Sequence, residues 1–349
     1  MSGVQLLGHG GPEQLVYRTD LPLPTPESDE VLIHVSAAGV NNTDINTRIG
    51  WYSKSVSGAT DSGAESTDDD GAWSDAPVEF PRIQGADCCG QIVATGSRVD
   101  QRRLGERVIV RTLQEPFAPS HAKATIVFGS ELDGGFAQYT VARSSETFAV
   151  DCDWSDVELA SIPCAWSTAE GMLHRAAVGA ERVLITGASG GVGSAAVQLA
   201  KRRGAEVIAV VGASKLDQVR ALGADRVVDR TADLIAEVGA RSIDVVLDLV
   251  AGPTFSAMVT SLRPGGRYSV SGAIAGPIVD LDVRDLYLKD LTFFGNTFQD
   301  PEVFPNLVGY IERGEVRPSV AATFALEDIV AAQERFAMKD FVGKLVLIP

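Results

Sequence analysis

Cysteine and histidine are scarce in this 349-residue chain, with four of each. Cys88, Cys89, Cys152 and Cys164 show no C-x-x-C spacing and no paired framework, so a disulfide scaffold is excluded. Residues 105–150 contain no cysteine at all, which removes a cysteine-built structural metal lobe from that stretch. His9, His34, His121 and His174 are scattered, without H-x-x-x-H spacing or triad-like company. Basic residues are also few: 30 Lys and Arg stand against 46 Asp and Glu, a net charge of −16. That balance excludes a nucleic-acid or anionic-membrane surface, which would need excess positive charge. No run of 18 apolar residues occurs, so no membrane span is expected. The opening "MSGVQLLGHGGPEQLVYRTD" lacks the basic start and apolar run of a secretory leader. The expectation is a reduced, cytoplasmic protein acting on a small molecule.

What is present is enough for about two domains with a real core: 45% of residues are hydrophobic and 22% charged. The first half reads as β-rich, with "DEVLIHVSAAGV" (29–40), "GQIVATG", "GERVIV" and "GGFAQYTVA" as strands between Gly and polar turns. The stretch 53–77, rich in Ser, Gly and Asp, reads as a mobile surface insertion rather than a lid, although Trp51, Tyr52 and Trp73 at its edges suit a lid. From about 156 the period becomes helical, and from 181 strands and helices alternate. Such alternation with β-branched strands predicts a parallel sheet covered on both faces, an α/β fold. A helix at "LEDIVAAQERFAM" and a strand at "GKLVLIP" close the chain.

"RVLITGASGGVGSAAVQLA" sets a glycine-rich turn between a strand and a helix, the context that makes this pattern specific for a dinucleotide. Ala188 takes the first glycine's slot, Gly190 lets the backbone approach a pyrophosphate, and Gly193 permits close packing of the helix. The helix beginning near Gly191, with Ser189 and Val192 beside it, aims free N–H groups at the phosphates. An NAD site carries an acid about 20 residues on. Here Gly212 and Ala213 stand in that place, followed by Ser214 and Lys215, with Arg230 past the next strand. The missing carboxylate and the added cations favour NADP(H). Ser214 with Asp217 also forms an S-x-x-D pattern, so the serine is expected to cap a helix.

The order "GVNNTD", "GADCCG", "GERV", "DGGFAQYTV", "GASGGVGSAAVQLAK", "GGRYSVSG" resembles the medium-chain dehydrogenase/reductase superfamily, and its quinone oxidoreductase branch most. The resemblance spans nearly the whole chain apart from 53–77. It implies a GroES-like β-rich catalytic domain (1–150 and 295–349) around a Rossmann-type dinucleotide-binding domain (151–294), with the active site in the cleft between them. It also implies a homodimer.

In the zinc alcohol dehydrogenases of that superfamily, Cys, His and Cys hold the metal. The corresponding positions here are Asn41 in "AAGVNNTD", Ala86 in "GAD" and Cys164 in "IPCAWST", so one ligand of three survives and no bound metal is expected. Cys88 and Cys89 are neighbours on an extended segment, point to opposite faces, and read as buried apolar residues rather than ligands. Without a Lewis acid, an acceptor that spreads its own charge is favoured: a quinone or an α,β-unsaturated carbonyl. Asn41, whose amide N–H can turn toward the substrate oxygen or the nicotinamide, is the first candidate donor. Thr43 holds the slot of a proton-relaying hydroxyl, Tyr52 matches a tyrosine at the pocket mouth of quinone reductases, and Thr168 matches a threonine packed on the nicotinamide. The alternatives are an alcohol dehydrogenase with a weakened zinc site and a non-catalytic NADPH-binding protein.

Overall fold

The computed structural model describes residues 1–60, 66, 71, 73, 77–115 and 125–349. Most of the serine-rich insertion and His121 lie outside the described residues.

The N-terminal half forms β1 (Gly3–Leu6), β2 (Leu15–Arg18), β3 (Glu30–Val40), the helix α1 (Asn42–Arg48), β4 (Arg82–Ile83), β5 (Cys89–Thr95), β6 (Arg107–Val110), β7 (Leu113–Gln114), β8 (Ile126–Val127), β9 (Tyr139–Arg143) and β10 (Thr147–Ala149). Next come α2 (Asp156–Leu159), α3 (Pro163–Arg175), β11 (Arg182–Ile185), α4 (Gly191–Arg202), β12 (Glu206–Val211), α5 (Leu216–Ala221), β13 (Arg226–Asp229) and α6 (Leu234–Val238). The remainder is β14 (Ile243–Asp248), α7 (Phe255–Ser261), β15 (Leu262–Val270), α8 (Val283–Leu288), β16 (Thr292–Gly295), α9 (Val303–Glu312), β17 (Val320–Ala325), α10 (Ile329–Met338) and β18 (Lys344–Ile348).

Two sheets position the site. The first runs β10-β6-β5-β3-β18-β17, with β9 also paired to β3. Within it the last strand returns to the first half: β18 lies antiparallel to β3, with Leu345 opposite Val40 and Leu347 opposite Ala38. That register sets Lys344 beside the residues that follow β3. The second sheet, β13-β12-β11-β14-β15-β16, is parallel throughout. Its central strands are buried on both faces, as "RVLI" and "DVVLD" require in a sheet covered by crossover helices. The strand order turns back at β11 and β14, and ligands of such sheets bind at the carboxyl ends beside that point.

Cys88 and Cys89 face different cores, Cys88 with Val4 and Phe128, Cys89 with Trp166 and Ile109. Both are fully buried small residues, as alternation along an extended segment demands. The single helical stretch expected from 156 is divided. Ser155 and Glu158 cap the short α2, and Pro163, lacking an N–H, starts α3 afresh. The helix α9 packs against α3 through Phe304, Leu307 and Ile311, in a buried cluster shared by the parallel sheet and residues of the N-terminal half such as Ile109 and Val150. Its sequence, "VFPNLVGYIE", hides it by carrying a proline in the first turn. Among the described residues, no helix is long and apolar enough to cross a membrane.

Candidate active site

At the carboxyl end of β11 the chain turns through 187–190 into α4. Gly190 is the N-cap residue of α4, and no side chain caps it, which leaves first-turn N–H groups of a 12-residue helix for a ligand. A side chain at Gly190 would meet nothing nearer than the Gly187 carbonyl oxygen, at 3.5 Å, so the approach from outside is open. Gly193 is closed: a Cβ there would stand 2.2 Å from Gly187 O and 2.6 Å from Ala188 Cα. Its missing side chain is what lets the helix sit on the turn. Ala188 and Ser189 are buried, and Gly191 and Val192 half-buried.

At the end of β12, Gly212 leads into a 3-10 turn, Ala213–Lys215. The cap expected of Ser214 does not form. Ser214 is exposed, Lys215 is the N-cap residue of α5, and Asp217 pairs with Arg220 instead. Lys215 Nζ donates to the Lys339 carbonyl oxygen at 2.7 Å. Burial and the nearby Arg230 lower its pKa, with Asp340 opposing. The Arg230 guanidinium lies about one atom's reach from Gly212, where a Cβ would be 3.8 Å from its Nε. It has no hydrogen-bond or ion-pair partner among the described residues. Two cations thus flank the end of β12 where an NAD site would carry a carboxylate.

The second part of the site is a buried polar cluster. Asn41 Nδ2 donates to Asp87 Oδ2 at 2.8 Å, and Lys344 Nζ donates to the same oxygen at 2.7 Å and to Asn41 Oδ1. The other oxygen, Asp87 Oδ1, accepts the Cys164 backbone N–H at 2.6 Å. Asp87 and Lys344 are 0% and 2% exposed. The Asn41 amide is therefore turned to Asp87 and Lys344 rather than outward. Below it, Asp44 accepts the backbone N–H groups of Asn41 at 2.7 Å and Ala86 at 3.1 Å. Burial raises the Asp44 pKa to about 7, with Asp87 adding to the rise and those N–H groups and Lys344 opposing it.

The three positions that the sequence resemblance matches to the zinc ligands of the alcohol dehydrogenases are Asn41, Ala86 and Cys164. Asn41 Oδ1 already accepts from Lys344, Ala86 offers no donor atom, and Cys164 is a thiol whose pKa burial and Asp87 push well above its usual value. These residues do not fit a zinc ion.

Thr43 and Tyr52 do come together: Tyr52 Oη donates to Thr43 Oγ1 at 3.1 Å. Burial, only partly offset by the hydrogen bonds to Thr43 and Asn46, holds the Tyr52 phenol above its usual pKa and keeps it protonated. Trp73 lies against Tyr52 with ring centroids 5.4 Å apart. Thr168 back-bonds to the Cys164 carbonyl at 2.7 Å and lines a narrow pocket with Leu113, Gly171 and Phe298. A separate shallow cavity of about 460 Å³, between His174, Phe293 and Asp300, lies at the outer edge of the parallel sheet and includes none of these residues. Sequence reasoning missed Lys344 and Asp44 as members of the site. The only available signal for Lys344 was one charged residue opening the apolar strand "KLVLI".

The family description "Zinc-binding dehydrogenase" matches residues 191–313, and "Alcohol dehydrogenase GroES-like domain" matches residues 27–151. A quinone oxidoreductase of Lama guanicoe is 29% identical, over 100% of this chain and 97% of its own length. An acryloyl-coenzyme A reductase of Sulfurisphaera tokodaii is 27% identical, over 97% and 98% respectively. A solved structure of a candidate alcohol dehydrogenase from Sinorhizobium meliloti 1021 is 44% identical, covers 100% of this chain and 96% of its own, and superposes with a TM-score of 0.91.

Proposed function

The chain belongs to the medium-chain dehydrogenase/reductase superfamily, among its quinone oxidoreductase-like members, and we propose that it reduces quinones or α,β-unsaturated carbonyls with NADPH and without a catalytic metal. It is an oxidoreductase that uses a nicotinamide coenzyme and has a GroES-like part and a Rossmann-type parallel sheet. The observation that carries the finer reading is the buried Asn41–Asp87–Lys344 cluster: it engages the Asn41 amide, one of the three metal positions, and Asp87 also holds the backbone N–H of Cys164, another of them.

Bound NADPH supplies the hydride. The uncapped start of α4, with Ser189, Gly190 and Gly191, would hold the pyrophosphate, and Gly193 keeps the helix close enough to do so. Lys215 and Arg230 would receive a 2′-phosphate, and Thr168 would border the nicotinamide. Hydride adds to a carbon of the conjugated acceptor, and the negative charge moves to its oxygen. Thr43, polarised by Tyr52, gives that oxygen a proton and regains one through Tyr52 from solvent, so each turnover consumes one hydride and one proton. Asn41 shapes this end of the site from its place against Asp87. The Trp73–Tyr52 pair gives a flat acceptor an aromatic wall.

The boundaries at 151 and 295 remain our division of the chain, with the cleft between as the substrate site. We further propose a homodimer. The outer side of β16 pairs with no strand among the described residues, and Ile278, Val283, Tyr287 and Leu288 near it are exposed. All four cysteines are free thiols, which suits the cytoplasm.

A second reading, alcohol oxidation, draws support from the Sinorhizobium structure. NADPH oxidation with a panel of 1,4-quinones, enones and aldehydes, run against alcohol oxidation, separates the two. Turnover with quinones or enones supports our reading, and turnover with simple alcohols alone overturns it.

A further inference from the structure

Lys344 touches both halves of the machinery. Its stem lies on the coenzyme turn, where a Cβ at Gly191 would stand 2.8 Å from Lys344 Cδ. Its ammonium reaches Asp87 Oδ2 at 2.7 Å and Asn41 Oδ1. One residue earlier, the Gly343 N–H donates to Ser189 O at 3.0 Å, so the backbone of the same segment grips the turn as well. Asn41 is the N-cap residue of α1, and Thr43 is the second residue of that helix. Asp87 in turn holds the Cys164 N–H near the start of α3, one turn before Thr168. Lys344 is too buried to meet a substrate and must act through the groups it holds.

We propose that Lys344 is a positioning residue for hydride transfer: a strut between the coenzyme turn and the start of α1 that sets where the Thr43 hydroxyl stands relative to the bound coenzyme. Charge-assisted hydrogen bonds in a dry setting are short and directional, so an ammonium shared by a carboxylate and an amide fixes both. The stem is trapped between them and the Gly191 backbone. Segments that a zinc ion joins in the alcohol dehydrogenases are joined here through Asp87 and Lys344. This inference rests on the NADPH-dependent reading of the site.

Lys344→Met alone strands the buried Asp87 without its counter-ion and can fail to fold. The informative protein is Lys344→Met/Asp87→Asn, which removes both charges and keeps an amide oxygen for the Cys164 N–H. Lys344→Arg serves as the conservative rescue. Thermal midpoint, NADPH affinity by fluorescence, kcat for quinone reduction and the isotope effect with NADPH deuterated at the transferred position are measured on each. The double variant is expected to fold and to lose kcat by roughly 10–100-fold, since misplacement of about an ångström costs that much. Its isotope effect is expected to rise because the hydride step has become slower, and Lys344→Arg is expected to recover part of the rate. A kcat within about twofold of the parent overturns the proposal. So does a loss of kcat that follows the thermal midpoint with an unchanged isotope effect, the mark of a smaller folded fraction. If the parent protein reduces no quinone or enone, the functional reading fails separately. NADPH affinity then decides for the strut: a loss of several-fold in the folded double variant supports it, and an unchanged affinity overturns it.

Discussion

Arg230→Ala is the cleanest test of coenzyme choice, because its cost elsewhere is small. The guanidinium is exposed and has no partner among the described residues, so its removal breaks no hydrogen bond or ion pair there. Lys215 differs: its ammonium also holds the Lys339 carbonyl, and removing it would loosen the segment that leads to Lys344. A hydrogen bond to a charged group contributes about 1.5–3 kcal/mol, so loss of the Arg230 contact should weaken NADPH by roughly 10–150-fold. NADH carries no 2′-phosphate, and its binding should stay within about twofold of the parent. The assay is kcat/KM for each coenzyme with one quinone at fixed ionic strength, since salt screens an exposed cation. Thermal unfolding should be unchanged within about 0.5 kcal/mol. Equal losses for NADPH and NADH, or a parent that prefers NADH, would refute the assignment of the two cations to the phosphate.

Gly193→Ala should abolish detectable coenzyme binding and destabilise the fold by about 1–3 kcal/mol, because its Cβ would collide with the backbone of Gly187 and Ala188 rather than with a movable side chain; calorimetric titration and denaturant melts measure both. Thr43→Val keeps the shape but removes the proton, and should lower kcat roughly 10–1000-fold while leaving NADPH affinity near the parent value; an unchanged kcat would remove Thr43 from the chemistry. Asp44 gives a pH signature. Its folded value near 7 lies above the ordinary 3.8, so between those values the folded protein holds a proton that the unfolded chain has lost. Its contribution is full below about pH 4 and disappears as the pH rises through 7, by at most about 1.4 kcal/mol per unit. Asp44→Asn should flatten that part of the stability curve in urea melts at pH 5, 6, 7 and 8, and equal slopes would show that Asp44 is ionised throughout.

The coenzyme turn was legible because its parts are local: a strand, the run 187–193 and a helix follow one another within 21 residues of Arg182. The placement of Lys215 and Arg230, each just past a strand of the alternating series, was legible for the same reason. Asn41 and Cys164 were found through the resemblance, and their contacts were not. One partner of Asn41 is Lys344, 303 residues away, and the antiparallel seat of β18 on β3 brings them together. Likewise the Ser214 pattern pointed to a cap. The turn Ala213–Lys215 winds as a 3-10 helix first, and α5 starts later than the pattern places it. Short motifs carried what neighbours decide. Long-range strand pairing decided the rest.

On the proposed mechanism polar side chains, not a metal ion, receive the charge that NADPH delivers. That mechanism is tested most directly by the rate of NADPH-dependent quinone or enone reduction before and after exhaustive chelation, with zinc added back. An undiminished rate after chelation, unchanged by zinc, is the result expected. Activity that disappears with the chelator and returns with zinc would contradict the account.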